Sequence, residues 1–480
     1  MLVVNPFLLL LSVAALVIPL ASQVTAQTFR ILHTFTDRVP QPVLVLAGNT
    51  LYGTTSTVAS SADNNGTVFA VNTDGSGFST LYTFSALDAS VFPQVNSDGA
   101  QPVDAGPVLS GSTLYGATAR GGTLGYGTTF AVNMDGTGFA PLYSFSFSDT
   151  EGWAVSALNF LGGALYGAIK GGGSSSNGII FKINLDGSGL ADVYDFTATV
   201  GHTNGLPMNG DGVRPNLLIS SGGVLYGAAD VGGRGGSGTV FSLNTDGTGF
   251  TSLHNFAPFG TNSTGSTGLY TNSDGIAPRG GLVLSSNTLY GTTYAGGSWG
   301  AGTLFGVGTD GTNFRTLHTF GGGDGWDPSG AMVLSGNTLY GTTEVGGSSF
   351  SGSVFAINTD GTGFRNLYTF SGGGDGLGPS GLVLSGNTLY GVANGKYRGP
   401  WTVFSVQLPV TAPQLMITPG LGTIVLTWPS NATGFTLQSS TSLGSSAVWT
   451  TVYPTPIIVN GQNTVTNPIS GAQQFFRLSQ

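Results

Sequence analysis

The tripeptide Leu-Tyr-Gly recurs seven times along this chain, with its tyrosines at Tyr52, Tyr115, Tyr166, Tyr226, Tyr290, Tyr340 and Tyr390. The intervals are 63, 51, 60, 64, 50 and 50 residues. A period of this length rules out most single-core folds: each unit is too small to bury its own apolar face, so like units must stack. A second marker follows each tyrosine, at Phe69, Phe130, Phe181, Phe241, Phe305, Phe355 and Phe404. Six of these run into an Asp-Gly turn, at Asp74, Asp135, Asp186, Asp246, Asp310 and Asp360, and an aromatic strand such as Leu367-Tyr368-Thr369-Phe370 comes next.

Each unit reads as four short strands. In the later units these are 382–384, 388–392, 353–358 and 364–370. Asp-Gly suits the last hairpin because a tight turn needs positive φ, which Gly adopts freely and Asp tolerates. The last unit stops at Val406 without a fourth strand, whereas residues 29–35 form a fourth strand alone. Pairing the two pieces would close a ring and remove the exposed sheet edges. The expected fold is therefore all-β: a seven-bladed β-propeller of four-stranded blades over 27–408, with the ring closed by the N-terminal strand. The blade length is near that of kelch repeats.

Composition agrees. Only 7% of residues are charged, against about 25% in an average domain. The 81 glycines sit among 11% aromatics and many β-branched residues, which separates the chain from disordered sequences. The net charge of −9 without a basic cluster argues against nucleic acid as a partner. Without cysteine, disulfides, thiolate metal sites and cysteine nucleophiles are excluded. The apolar run at 7–21, then Val24-Thr25-Ala26, reads as a signal peptide over 1–26, although no Lys or Arg precedes it. The mature chain is expected to be secreted or held at the cell surface, monomeric, and not inserted in a membrane.

The motif Asn-Thr-Asp-Gly-Thr-Gly-Phe at 358–364, with Leu-Tyr-Gly-Thr-Thr at 339–343, resembles the GloVer tandem repeat. That repeat occurs in secreted bacterial proteins of the choice-of-anchor type, and the resemblance spans 29–408. It implies export and repeat architecture, and no activity. Residues 409–413 read as a linker. Strands at 423–428, 435–439, 448–453, 457–459 and 475–478 make 414–480 resemble a small fibronectin type III-like β-sandwich, with Trp428 and Trp449 expected in its core. By resemblance this segment would attach the protein to a surface or act as a spacer.

Strand order puts the turns between first and second and between third and fourth strands on one face. The loops between second and third strands and those between units lie on the other. That second face is expected to carry long, variable loops such as 54–66, 85–106, 197–215 and 257–280, where binding residues concentrate. Trp153, Trp299, Trp326 and Trp401 fall there, as do Arg120, Arg214, Arg234 and Arg279, with Arg38, Lys170, Lys396 and Arg398. Indoles stack on the apolar faces of sugars and cations hold hydroxyls or carboxylates, so these residues are the candidate ligand site, for glycan or peptide. Packing of the tryptophans beneath their own loops is the competing expectation.

Asp98, Asp211, Asp274, Asp324 and Asp375 recur in Asp-Gly before Pro between units. Turn chemistry explains them, so no metal or other cofactor is expected. His33, His254 and His318 replace Tyr at one strand position and read as packing residues, leaving His202 in a loop. No nucleophile elbow, zinc helix or phosphate loop is present, so no catalytic residue is assigned. A carbohydrate-active hydrolase or lyase remains the alternative, with loop acids Asp149, Glu151, Asp211, Asp324, Asp327 and Glu344 as candidates. The third alternative is a purely structural surface or matrix protein.

Overall fold

The computed structural model describes residues 28–409 except 58–64, 104–105, 151–154, 204–205, 262–269, 329 and 396–399, and, further on, 413, 415–419, 423–430, 435–442, 447–459, 462–468 and 474–479. The signal-peptide segment thus lies outside the described residues. Two compact units separate at Leu408, Thr28–Leu408 and Pro409–Gln480.

The first unit contains seven antiparallel sheets of four or five strands among the described residues. We number them by their second strands: Thr50–Thr57, Thr113–Arg120, Ala164–Ile169, Val224–Val231, Thr288–Ala295, Thr338–Thr343 and Thr388–Ala393. The sixth is representative, ordered Val333–Ser335, Thr338–Thr343, Ser353–Asn358, Arg365–Thr369. In the seventh, the outermost strand is the N-terminal Phe29–Phe35, antiparallel to Trp401–Gln407. That pairing is the one the repeat ends called for. Strand bounds differ from expectation by up to three residues. Two short sheets, Gly201–Thr203 with Leu206–Met208 and Gly260–Thr261 with Tyr270–Thr271, ornament the connections.

The Leu-Tyr-Gly signature follows from burial on both sides of each sheet. Leu339 packs into the cluster shared by the fifth and sixth sheets, while Tyr340 points the other way, into that of the sixth and seventh. A strand covered on both faces reads as a continuous apolar run rather than an alternation. Gly341 pairs across the ladder with Phe355, and a Cβ there would come 2.5 Å from Phe355 Cζ. The Phe ring therefore lies over the glycine, and this is a demand for space rather than for backbone freedom.

One contact is repeated at all seven junctions. The Phe ending each fourth strand meets the third-strand Phe of the following sheet edge-to-face, with centroids 5.1 to 5.7 Å apart. The pairs are Phe35–Phe69, Phe84–Phe130, Phe145–Phe181, Phe196–Phe241, Phe256–Phe305, Phe320–Phe355 and Phe370–Phe404. Such a pair adds about 0.5–1.5 kcal/mol beyond its buried area. Phe35 belongs to the seventh sheet and Phe69 to the first, and both lie in one core cluster.

A second set of rings crosses the same junctions. In six of the seven sheets the Tyr or His of the fourth strand stacks on an aromatic of the next sheet, five of them just after its Asp-Gly turn and the sixth at the start of the N-terminal strand: His33 on Phe78, Tyr82 on Phe139, Tyr194 on Phe250, His254 on Phe314, His318 on Phe364 and Tyr368 on Phe29. The packing role expected of the three histidines is what the structure shows. Leu190 stands at the seventh such sequence position.

The Asp-Gly turn is wider than the two-residue hairpin expected. Asn358 N–H donates to the Thr362 carbonyl at 2.9 Å, and the Asp360 carboxylate accepts from the Thr362 amide and hydroxyl at 2.9 and 2.7 Å. Positive φ falls on Gly361 (+89°), whose Cβ would sit 3.0 Å from the Leu317 carbonyl of the preceding sheet. The aspartate caps the turn from an ordinary conformation.

The second unit holds two sheets, one of Met416–Pro419, Thr423–Pro429, Gln462–Pro468 and Ile457–Val459, the other of Thr450–Thr451, Thr436–Ser440 and Phe475–Ser479. Two of these strands, at 416 and 462, lack the aromatic pattern and were not expected. Trp428 is buried with Leu426, Leu437, Val452 and Val465. Trp449, expected in that core, instead lies half-buried beneath Arg477, whose guanidinium is 4.3 Å from its ring.

Candidate functional site

The C-terminal ends of second and fourth strands and the N-terminal ends of first and third strands share one end of every sheet. The loop from second to third strand there is built on Gly-Gly-x-x-x-x-Gly, seen at 121–127, 172–178, 232–238, 296–302 and 346–352. Its closing bond is the same each time, for example Gly302 N–H to the Gly296 carbonyl at 3.0 Å and Gly352 N–H to that of Gly346 at 3.1 Å. The expectation of long, dissimilar loops is therefore corrected for these five sheets. Their backbone is nearly uniform, because the flanking glycines take positive φ and, in four of the five, the last one packs under a proline of the next sheet. Variation of length lies in the connections between sheets, and variation of chemistry lies in the tips.

Two tips are aromatic. Trp299 is 66% exposed and Phe350 is 73% exposed. Phe350 adopts φ +54° at the loop position filled by Gly125, Gly236 and Gly300 in equivalent loops. Trp326 pairs its backbone with Val345, in bonds of 2.7 and 3.2 Å, and Val345 is itself exposed. A Cβ on Gly321 would approach Trp299 at 3.4 Å, and one on Gly322 would approach Trp326 Nε1 at 3.9 Å. The glycine run thus separates the two indoles. Trp326 is half-buried, with its Nε1 enclosed and unpartnered, so only part of its ring faces outward.

The other candidates are scattered. Trp401 opens the strand Trp401–Gln407 and is 8% exposed within the core cluster of the first and seventh sheets, so it offers no indole to a ligand. The strand simply begins earlier than expected. Trp153, Glu151, Lys396 and Arg398 lie outside the described residues, as does the side chain of His202. Arg120, Arg214, Arg234 and Arg279 are all exposed. Arg279 is engaged: its Nε lies 3.4 Å from Asp230 Oδ2 and its guanidinium 4.8 Å from the Tyr294 ring. Lys170 Nζ approaches the same oxygen at 3.5 Å.

The recurring aspartates between sheets are locks. Asp211 accepts from Tyr194 Oη at 2.9 Å, from the Thr197 amide at 2.8 Å and from the Thr197 hydroxyl at 2.7 Å. Asp98 does the same with Tyr82 and Ser85, and Asp375 with Tyr368 and Ser371. His254 and His318 replace the tyrosine opposite Asp274 and Asp324, at 3.0 and 3.1 Å. Burial, with the bond to Asp375 added, pushes the Tyr368 hydroxyl up to about 12. Among the described residues no group of three His, Asp or Glu could hold a metal ion.

One acidic cluster escaped sequence reasoning. Asp149, Asp192 and Asp195 line a cavity of about 230 Å³ between the second and third sheets, floored by Phe145, Ile169 and Phe181. Burial, and then the charges of Asp195 and Asp149, raise the Asp192 carboxyl above its ordinary range. The available signal was acid at two positions of one fourth strand where equivalent strands carry Thr, Ser, Asn, Pro or Ile.

The architecture defines an all-β, β-propeller-like tandem-repeat protein. The Gloeobacter/Verrucomicrobia repeat model matches residues 20–205, 89–275 and 261–418, so the chain belongs to that family. No curated protein matches it. Among solved structures it is similar to an oligogalacturonate lyase in complex with manganese, at 10% identity and TM-score 0.46, covering 80% of this chain and 96% of that one. A puromycin hydrolase is similar at 12% identity and TM-score 0.48, over 81% of this chain and 58% of the other. A putative 6-phosphogluconolactonase from Bacteroides fragilis is similar at 13% identity and TM-score 0.44, over 92% and 98%.

Proposed function

We propose that this is an exported, non-catalytic binding protein whose seven sheets are the blades of a closed, kelch-like seven-bladed propeller, and which holds a glycan on the aromatic tips of its fifth and sixth blades. The contact between Phe35 and Phe69 supports closure, since it repeats at the seventh-to-first junction what the other six junctions do. The C-terminal unit, read as a fibronectin type III-like sandwich, serves as attachment or spacer.

The observation that carries the binding reading is Phe350. A bulky residue in the left-handed region costs about 1–2 kcal/mol, and this one recovers little of it by packing. Glycine stands at that position in three equivalent loops and the small Ser176 in the fourth, so a bulky, exposed ring there, one sheet on from exposed Trp299, serves something outside the fold. Sugar rings stack on such platforms, and the neighbouring Asp324, Asp327 and Glu344 favour a neutral chain over an acidic one.

The test is a neutral-polysaccharide binding screen on residues 27–480 beside Trp299→Ala and Phe350→Gly variants. Wild-type binding that each variant weakens about tenfold or more supports the platform. Phe350→Gly should also raise thermal stability. Absence of binding by a folded wild type, or binding indifferent to both variants, overturns the assignment and favours a peptide ligand or a purely structural role.

A second reading, a carbohydrate-active hydrolase or lyase, draws on the cavity of Asp149, Asp192 and Asp195. A carboxyl raised beside ionised neighbours is what a general acid requires. Turnover of a polysaccharide that Asp192→Asn abolishes would establish it.

A further inference from the structure

The residue immediately after Leu-Tyr-Gly-x-x, at or just past the end of each second strand, begins the chemically variable part: it is Ser56, Ala119, Lys170, Asp230, Tyr294, Glu344 or Asn394 in the seven sheets. Before it the strands are almost invariant. In the third to fifth sheets three of these side chains meet in one group. Asp230, 3% exposed, receives Lys170 Nζ at 3.5 Å and Arg279 Nε at 3.4 Å on Oδ2, and Asn216 Nδ2 on Oδ1. Asn216 Nδ2 also donates to the Pro278 carbonyl at 3.1 Å, and Arg279 stacks on Tyr294. Asn216 is 5% exposed, and its Oδ1 is buried with no hydrogen-bond partner.

The fold does not require this arrangement, because serine and alanine serve at the same place in the first two sheets. Burying a carboxylate is costly and an ion pair barely repays it. What the group achieves is positioning. One enclosed carboxylate fixes two long cations whose side chains remain 34% and 41% exposed, so their other N–H groups face outward. The three charges sum to +1 on a chain of net −9, and exposed Arg214 lies across the ladder from Asp230, between the pairs Val213–Val231 and Pro215–Ala229.

We propose that this group is an anion subsite for a sugar acid: the carboxylate of a uronate binds the exposed N–H groups of Lys170 and Arg279. It is independent of the Trp299 and Phe350 platform. Asp230 is a positioning residue that also opposes the anion. Replacing it with asparagine keeps an acceptor toward both cations and removes the repulsion.

The experiment is calorimetric titration of the full chain with a β-1,4 glucuronyl-glucose disaccharide, with cellobiose and with inorganic phosphate. The uronate should bind about tenfold or more tightly than cellobiose, and more weakly as salt rises. Arg279→Gln should abolish that preference, and Asp230→Asn should strengthen it. Equal binding of the two disaccharides, no uronate binding, or a preference untouched by Arg279→Gln overturns the proposal. Phosphate competing as strongly as the uronate overturns the sugar-acid assignment. Weakened or unchanged uronate binding in a folded Asp230→Asn variant overturns the claim that Asp230 opposes the anion.

Discussion

Three histidines occupy a position where the other described sheets use tyrosine, and at His33 and His318 the exchange has a cost that depends on pH. Burial lowers the pKa of His33, and lowers that of His318 against the opposing pull of Asp324. A histidine whose folded pKa lies below its unfolded value of 6.5 binds its proton first in the unfolded chain. Stability is therefore full above that pH and falls as the solution is acidified through it. His33→Tyr with His318→Tyr should flatten the decline in melting temperature between about pH 7 and 5. An unchanged slope would assign the decline elsewhere. The packing role of these residues was legible in the sequence, because the repeat itself supplied four controls, Tyr82, Tyr143, Tyr194 and Tyr368. The strain at Phe350 was not, since φ cannot be read from a residue that looks like any other loop aromatic.

The turn between third and fourth strands makes its own prediction. Asp74, Asp135, Asp186, Asp246, Asp310 and Asp360 are all held below 3.8, first by the hydroxyl two residues on and then by its amide. A depressed carboxylate contributes stability above its unfolded pKa and loses it as pH falls through the folded one. Acid unfolding should steepen below about pH 4. Asp310→Asn with Asp360→Asn, which keep the accepting oxygen, should make it shallower in a circular-dichroism titration. Strand identity was readable at this scale because burial on both faces leaves a run of apolar residues between glycine turns. The strands at 416 and 462 were missed because Met-Ile-Thr-Pro and Gln-Asn-Thr-Val carry little of that signal. The uniform second-face loops were missed for a related reason: tips as unlike as Arg234, Trp299 and Phe350 disguise a shared glycine frame.

For the whole molecule, the decisive question is whether the seventh junction bears load like the others. In a closed ring every junction is equivalent, and Phe35→Ala should cost about as much as Phe320→Ala, in the range of about 3–5 kcal/mol, within one cooperative transition. In an open stack the first substitution would fray an end and cost far less. Chemical denaturation of the two variants, side by side, decides it. The repeat count and the pairing of the N-terminal strand followed from sequence, as period and ends are properties of order along the chain. The charged triad did not, because Lys170, Asp230 and Arg279 belong to three different units and only the stacking of sheets brings them together.

Phe29 lies opposite Val406 and Phe35 opposite Trp401, so the chain enters and leaves the seventh sheet side by side, at the same end. A force drawing residue 28 away from residue 408 would load those hydrogen bonds one after another, peeling the strand like a zipper rather than shearing all of them together. Such a seam yields at low tension. Pulled between residues 28 and 408, the first unit would let go there first, with the other six sheets still folded.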